Sequence, residues 1–153
     1  MAWRNFFENP VFLSGISSLF FAQLVKTIIH LLTIKRKNLR DTLGLLIWRT
    51  GGMPSSHSTM VAAVATSIAF YEGVDSNLFV ITLMFALIII RDALGVRRSS
   101  GLQAKVLNWL GRQAAEKLKI EFHPVKEVNG HSPLEVAVGV LLGVIIAAAF
   151  SFL

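Results

Sequence analysis

The sequence contains no cysteine, which excludes a disulfide scaffold, a thiolate zinc site, an iron–sulfur cluster and a cysteine nucleophile. Charge is scarce too: Asp, Glu, Lys and Arg make up 16% of the chain, against about 25% in soluble domains. With 54% hydrophobic residues and a mean hydropathy of +0.62, there is too little polar surface to cover a water-soluble sphere. Acids are the rarer sign, 9 against 15 Lys and Arg, for a net charge of +6. A basic, apolar chain with 11 Phe points to a membrane protein that handles anions and away from a nucleic-acid binder. Its 153 residues suit a single domain, 1–153.

Long polar stretches are few, and what lies between them is helical in character. Met1–Pro10 has neither a basic segment before an apolar run nor a small-residue cleavage site, so no removable signal peptide is expected. Val11–Ile34 is apolar for 24 residues, roughly 36 Å of helix and enough to span with tilt. Two shorter runs, Thr59–Tyr71 and Leu78–Ile90, flank the polar turn Glu72–Asn77, and Val136–Leu153 is the last. β signals are few. The fold expected is an all-α integral membrane bundle with four transmembrane helices at about 11–34, 58–71, 77–91 and 134–153.

Between the third and fourth spans, residues 101–119 predict an amphipathic helix. Leu102, Val106, Leu107, Trp109, Leu110, Ala114 and Leu118 share one half of the wheel, opposite Lys105, Asn108, Arg112, Glu116 and Lys119. Such a helix either packs on the bundle or lies in the interface, and an interfacial helix is the expectation adopted. Basic residues set the topology. Five (Lys35, Arg36, Lys37, Arg40, Arg49) follow the first span and eight (Arg91, Arg97, Arg98, Lys105, Arg112, Lys117, Lys119, Lys126) follow the third. Only Arg4 falls on the other side, so the basic side is expected to be cytoplasmic.

Four polar groups fall on or near that side. Gly51-Gly52-Met53-Pro54-Ser55-Ser56-His57-Ser58 opens the second span with free amides, hydroxyls and an imidazole, the setting a phosphate oxyanion prefers. His131 and Glu135 share a face at the start of the fourth span, where a carboxylate can hold an imidazole in one tautomer. Ser132-Pro133-Leu134-Glu135 reads equally as a capping box, in which case Glu135 serves the backbone. Arg91, Arg97 and Arg98 suit phosphate oxygens, and equally a topology signal or anionic lipid headgroups. Lys26, with Gln23 one turn away, is an ionisable group inside a span, functional by default unless it snorkels. Two histidines beside several cations suggest phosphoryl transfer: one attacks phosphorus, the other protonates the leaving oxygen.

These residues resemble a known superfamily. Pro54-Ser55-Ser56-His57 is similar to the Pro-Ser-Gly-His motif of the type 2 phosphatidic acid phosphatases and vanadium haloperoxidases, and His131-x-x-x-Glu135 to their His-x-x-x-Asp motif. With Asp92-Ala93-x-Gly95-Val96-Arg97-Arg98, the set looks like a compact divergent branch, described as acid phosphatase/vanadium-dependent haloperoxidase-related, over Gln23–Gly143. The resemblance implies that His131 is the nucleophile, Glu135 orients it and His57 is the general acid. It also implies that Ser56 lies in the phosphate cradle, that Arg97 or Arg98 replaces the family arginine, and that Lys26 replaces the first motif's lysine. No metal or other cofactor is implied. The chain departs from the family at Ser56 (Gly there) and Glu135 (Asp there), and lacks the Lys-x6-Arg-Pro motif.

The function expected is hydrolysis of a membrane lipid phosphate or pyrophosphate through a phosphohistidine, with the site on the cytoplasmic face. The alternative is a non-catalytic membrane protein binding phospholipid headgroups or phosphate. A third reading gathers His57, His131, Glu135 and Asp92 around a metal, with no spacing that specifies one. A homo-oligomer is expected because helices this short bury little area alone.

Overall fold

In the computed structural model the described residues are 2–33, 52–127 and 130–152, and all regular elements among them are helices. They are α1 (Ala2–Phe7), α2 (Pro10–Thr33), α3 (Ser56–Glu72), α4 (Asn77–Leu94), α5 (Val96–Leu118) and α6 (Pro133–Ser151). The basic segment Lys35–Arg49 and Gly51 lie outside the described residues. α2, the continuous stretch Asn77–Leu118 and α6 are long and apolar enough to cross a membrane. α3, with 17 residues, is about 25 Å long, less than the ~30 Å hydrocarbon layer.

Local chemistry explains the helix starts. Asn9 precedes Pro10, and its Oδ1 accepts the amides of Val11 at 2.9 Å and Phe12 at 3.2 Å. Ser76 caps α4 by accepting from the Phe79 amide at 3.1 Å. The turn before it passes through Gly73 at φ 87°, a conformation that costs glycine little. The apolar run of α4 was expected to end near residue 91, with a separate helix from about 101. Instead α5 begins at Val96, because the hydrogen-bond ladder passes through Gly95: its amide donates to the Arg91 carbonyl and its carbonyl accepts from Ser99, both at 2.9 Å.

Helix α3 is the centre of the bundle, packed against α6, α2 and α4. Its sequence is rich in Ser, Thr and Ala, and small residues let neighbouring backbones come close where no hydrophobic force separates protein from lipid. The closest approach is to α6. A Cβ on Gly139 would press on the Ser55 carbonyl, and one on Gly143 would fall on the Thr59 carbonyl. On the other flank Gly15 of α2 sits against Val64. The far end is closed by the Tyr71 hydroxyl near the Phe150 carbonyl and by Phe70 against Phe152.

The burial of α5 is the reverse of an ordinary amphipathic helix. Among the described helices it packs only against α4, and Leu102, Val106 and Trp109 on its apolar face are more than half exposed. Its buried residues are Gly101 and, on the polar face, Asn108. The Asn108 side chain donates to the Val125 carbonyl and accepts the Val125 amide, both at 2.9 Å, so residues 121–127 run back along the helix. Phe122 lies over Gly111, where a Cβ would meet its ring.

The α3–α6 seam yields a prediction. Gly143→Val must push against the Thr59 backbone, which has nowhere to move, and overpacking of about 1–3 kcal/mol should lower the midpoint of thermal unfolding in detergent by several degrees. Leu141→Ala, on the exposed face of the same helix, should leave it within a degree or two. Equal midpoints for Gly143→Val and wild type would remove the seam as the stabilising contact.

Candidate functional site

The ends of α2, α3, α4 and α6 meet at one end of the bundle, and the sequence motifs meet with them. The amide of Ser55 donates to the Glu135 carbonyl at 3.0 Å, tying the start of α3 to the first turn of α6. The chain reaches Ser55 through Gly52 at φ 85° and a cis Met53–Pro54 peptide. Ser55 then starts α3 without capping it: its hydroxyl accepts from Ser58 at 2.9 Å and makes no side-chain cap hydrogen bond. The first turn of α3 therefore presents amides that its own cap residue leaves open, at the positive end of the helix dipole.

His131, Ser132 and Glu135 form one unit at the start of α6. Glu135 Oε2 accepts from the Ser132 amide at 3.0 Å and lies 3.1 Å from His131 Nδ1, while Ser132 Oγ accepts the Glu135 amide at 3.3 Å. The capping box and the imidazole contact, alternatives in the sequence, coexist on a single carboxylate oxygen. With Nδ1–H donated to Glu135, the lone pair of His131 sits on Nε2. The His131 side chain is buried, and Glu135 is about one-quarter exposed.

Lys26 comes from α2 to complete this end. Its Nζ donates to Ser56 Oγ at 3.1 Å, within a buried environment. Lys26 and Ser56 are 30 residues apart; the family resemblance implies that both belong to the phosphate site, but no spacing in the sequence pairs them with each other. Ser56, which stands where the related motif has glycine, supplies the hydroxyl that holds the lysine.

His57 is exposed on one side and lies ahead of the apolar run of α3. Desolvation by its packed neighbours pushes its imidazole below the usual range; the positive groups Arg97, His131 and Lys26 add to this, and Asp92 opposes it. A dianion arriving beside such an imidazole would favour its protonation.

The arginines separate. Arg97 Nε donates to Asp92 Oδ2 at 2.8 Å, with both side chains well exposed, an ion pair of the kind worth at most about 1 kcal/mol. Arg98 instead lines a cavity of about 300 Å³ whose walls include Gly52, Lys105, Gly130, Ser132 and Glu135. Gly130 packs so closely that a Cβ would fall on the Arg98 backbone. Lys105 was read only as part of the polar face of the amphipathic helix and of the basic bias; its seven-residue spacing from Arg98, two helical turns, is the signal that could have joined them. The metal reading does not gather: among the described residues no three His, Asp or Glu side chains cluster as a metal site requires.

The chain matches the family described as the Divergent PAP2 family over residues 7–146. It is similar to the uncharacterized membrane protein YuiD of Bacillus subtilis strain 168, at 37% identity over 94% of this chain and 95% of that protein. No solved structure matches.

The electrostatics can be read directly. In protein labelled with ¹³C-histidine, the His57 ring should titrate below the ordinary histidine range. Arg97→Gln should move that midpoint upward, because it removes a positive neighbour and releases Asp92. A midpoint that stays put or falls would contradict this account of the His57 environment.

Proposed function

Because the chain belongs to the divergent PAP2 family, we propose that it is a membrane-bound phosphatase acting on a lipid phosphate or pyrophosphate through a phosphohistidine at His131. The observation that carries this reading is the Glu135 carboxylate on His131 Nδ1, which leaves Nε2 as the nucleophilic atom beside the open turn of α3. In the step proposed, Nε2 attacks phosphorus and the bond to the leaving oxygen breaks, with that oxygen taking a proton from His57. Lys26, Ser56 and Arg97 or Arg98 hold the equatorial oxygens, where charge builds up. Water then attacks the phosphohistidine, giving its proton to His57, and phosphate leaves. A phosphoryl dianion beside His57 favours its protonated form, opposing the desolvation that lowers its proton affinity.

A lipid substrate fits the surroundings. Three apolar helices and a relative named as a membrane protein support membrane integration. An apolar groove of about 460 Å³ runs along α2 and α3 from Met60, one turn beyond Ser56, past Gly15, Val64 and Ile68 to Phe6, Glu72 and Leu78 at the far end of the bundle. It offers an alkyl chain a path into the hydrocarbon layer while the headgroup stays at the helix ends. We read residues 58–71, the apolar run of α3 that follows His57, as a fourth span, and α5 as lying in the headgroup layer with its uncovered apolar face toward lipid. The charge bias supports a site on the cytoplasmic face.

Brief exposure to a labelled lipid phosphate should leave acid-labile phosphate on the protein, and His131→Ala should abolish both the label and turnover. His57→Ala should lose less activity with substrates whose leaving groups need little protonation. Label that survives His131→Ala would overturn the nucleophile. Lipid binding with neither label nor turnover would favour the non-catalytic binder.

The topology has its own test in a chain without cysteine. A cysteine at Ser99 should resist a membrane-impermeant maleimide in intact cells, whereas one at Ser76 should react. The reverse pattern would move the site to the outer face.

A further inference from the structure

The cavity beside Glu135 gathers two cations from one helix. Arg98 and Lys105 both line it from α5. At seven residues apart they differ by only about 20° around the helix and stand roughly 10 Å apart along it. The opposite wall is Gly52, Gly130, Ser132 and Glu135. Two cations thus face one carboxylate, and Glu135 Oε2 is already engaged by the Ser132 amide and His131. Neither Arg98 nor Lys105 forms an ion pair with a carboxylate among the described residues.

The cavity is not a remote surface feature. Glu135 belongs both to its wall and to the His131 pair, and Gly52 lies within van der Waals reach of the Lys26 stem once a Cβ is added. Gly130 fixes the first turn of α5 against the loop leading to His131. Glu135 thus stands between the cavity and His131, and an anion in the cavity and a phosphoryl group on His131 would have that carboxylate as a common neighbour.

We propose that this cavity is a second anion subsite, which takes a further phosphoryl group of the substrate, and that Lys105 is its specificity-determining residue. The proposal rests on the phosphatase reading for its substrate, not for its binding chemistry. The second phosphoryl group is either the other phosphate of a diphosphate ester or a phosphodiester elsewhere in the headgroup of a monoester. Lys105 supplies a point charge with three donors to either one.

Binding tests the subsite without catalysis. By titration calorimetry in detergent, wild type should bind inorganic pyrophosphate at least about tenfold more tightly than orthophosphate, as one additional charge-assisted contact would give. Lys105→Gln should shrink that preference to under threefold with orthophosphate affinity unchanged. Lys105→Arg should keep it, and so should Lys119→Gln, which removes a charge beyond the end of the same helix. Equal affinities in wild type, or a preference that survives Lys105→Gln or falls equally in Lys119→Gln, would overturn the subsite.

Turnover then separates the sources. On lipids with one chain type, Lys105→Gln should lower kcat/KM about tenfold for the diphosphate or for the phosphodiester-bearing monoester, whichever is the substrate, and under threefold for the simple monophosphate. A parallel loss on all three would also overturn it. Intact pyrophosphate preference with no turnover of any lipid would sink the hydrolysis reading and leave the subsite standing.

Discussion

One backbone hydrogen bond, from the Ser55 amide to the Glu135 carbonyl at 3.0 Å, sets the distance between the two helix starts on which the candidate site is built. It forms because Gly139 and Gly143 let α6 come onto the backbone of α3 at Ser55 and Thr59. In an apolar surrounding such a bond has little competition from water, and a methyl group in the seam would break the fit. Ser56 and His57 follow on one side of the bond, and His131 and Glu135 stand on the other. A shift of one helix past the other would separate the two histidines.

The two departures from the related motifs acquire reasons in this geometry. Ser56 carries the hydroxyl that accepts Lys26 and so ties α2 to the start of α3. Glu135, one methylene longer than aspartate, reaches back from the third position of α6 to the Ser132 amide and to His131 with the same oxygen. The cap and the imidazole contact thus hold each other in place. A half-satisfied polar cluster at such a depth would be costly, and here each main partner is used.

α5 extends the same end outward. Because the ladder of α4 continues through Gly95, the position of α5 follows from the third apolar helix and from Gly130 against Arg98. Residues 121–127 cover its Asn108 side and leave its Leu and Trp side open. That face is apolar and uncovered by the described residues, while Arg98 and Lys105 line the cavity.

By itself the sequence determined the helical class, the long apolar runs, the polar turn Glu72–Asn77, and, as alternatives, the Ser132 capping box and the His131–Glu135 pair. Each is a local matter: apolar length, capping chemistry and a four-residue spacing act within one helix. The boundaries moved by a few residues because hydrogen-bond ladders run past the apolar stretches, as at Gly95. Only the tertiary structure decided that α3 is central, since its Ala, Ser and Thr have no strong periodicity to name a buried face. The same holds for Lys26 on Ser56, Asn108 under residues 121–127, and the joining of Arg98 and Lys105 with Glu135 in one cavity. Periodicity shows which residues share a face; which partner that face meets depends on non-local close approach, set here by glycines whose role is the absence of a side chain.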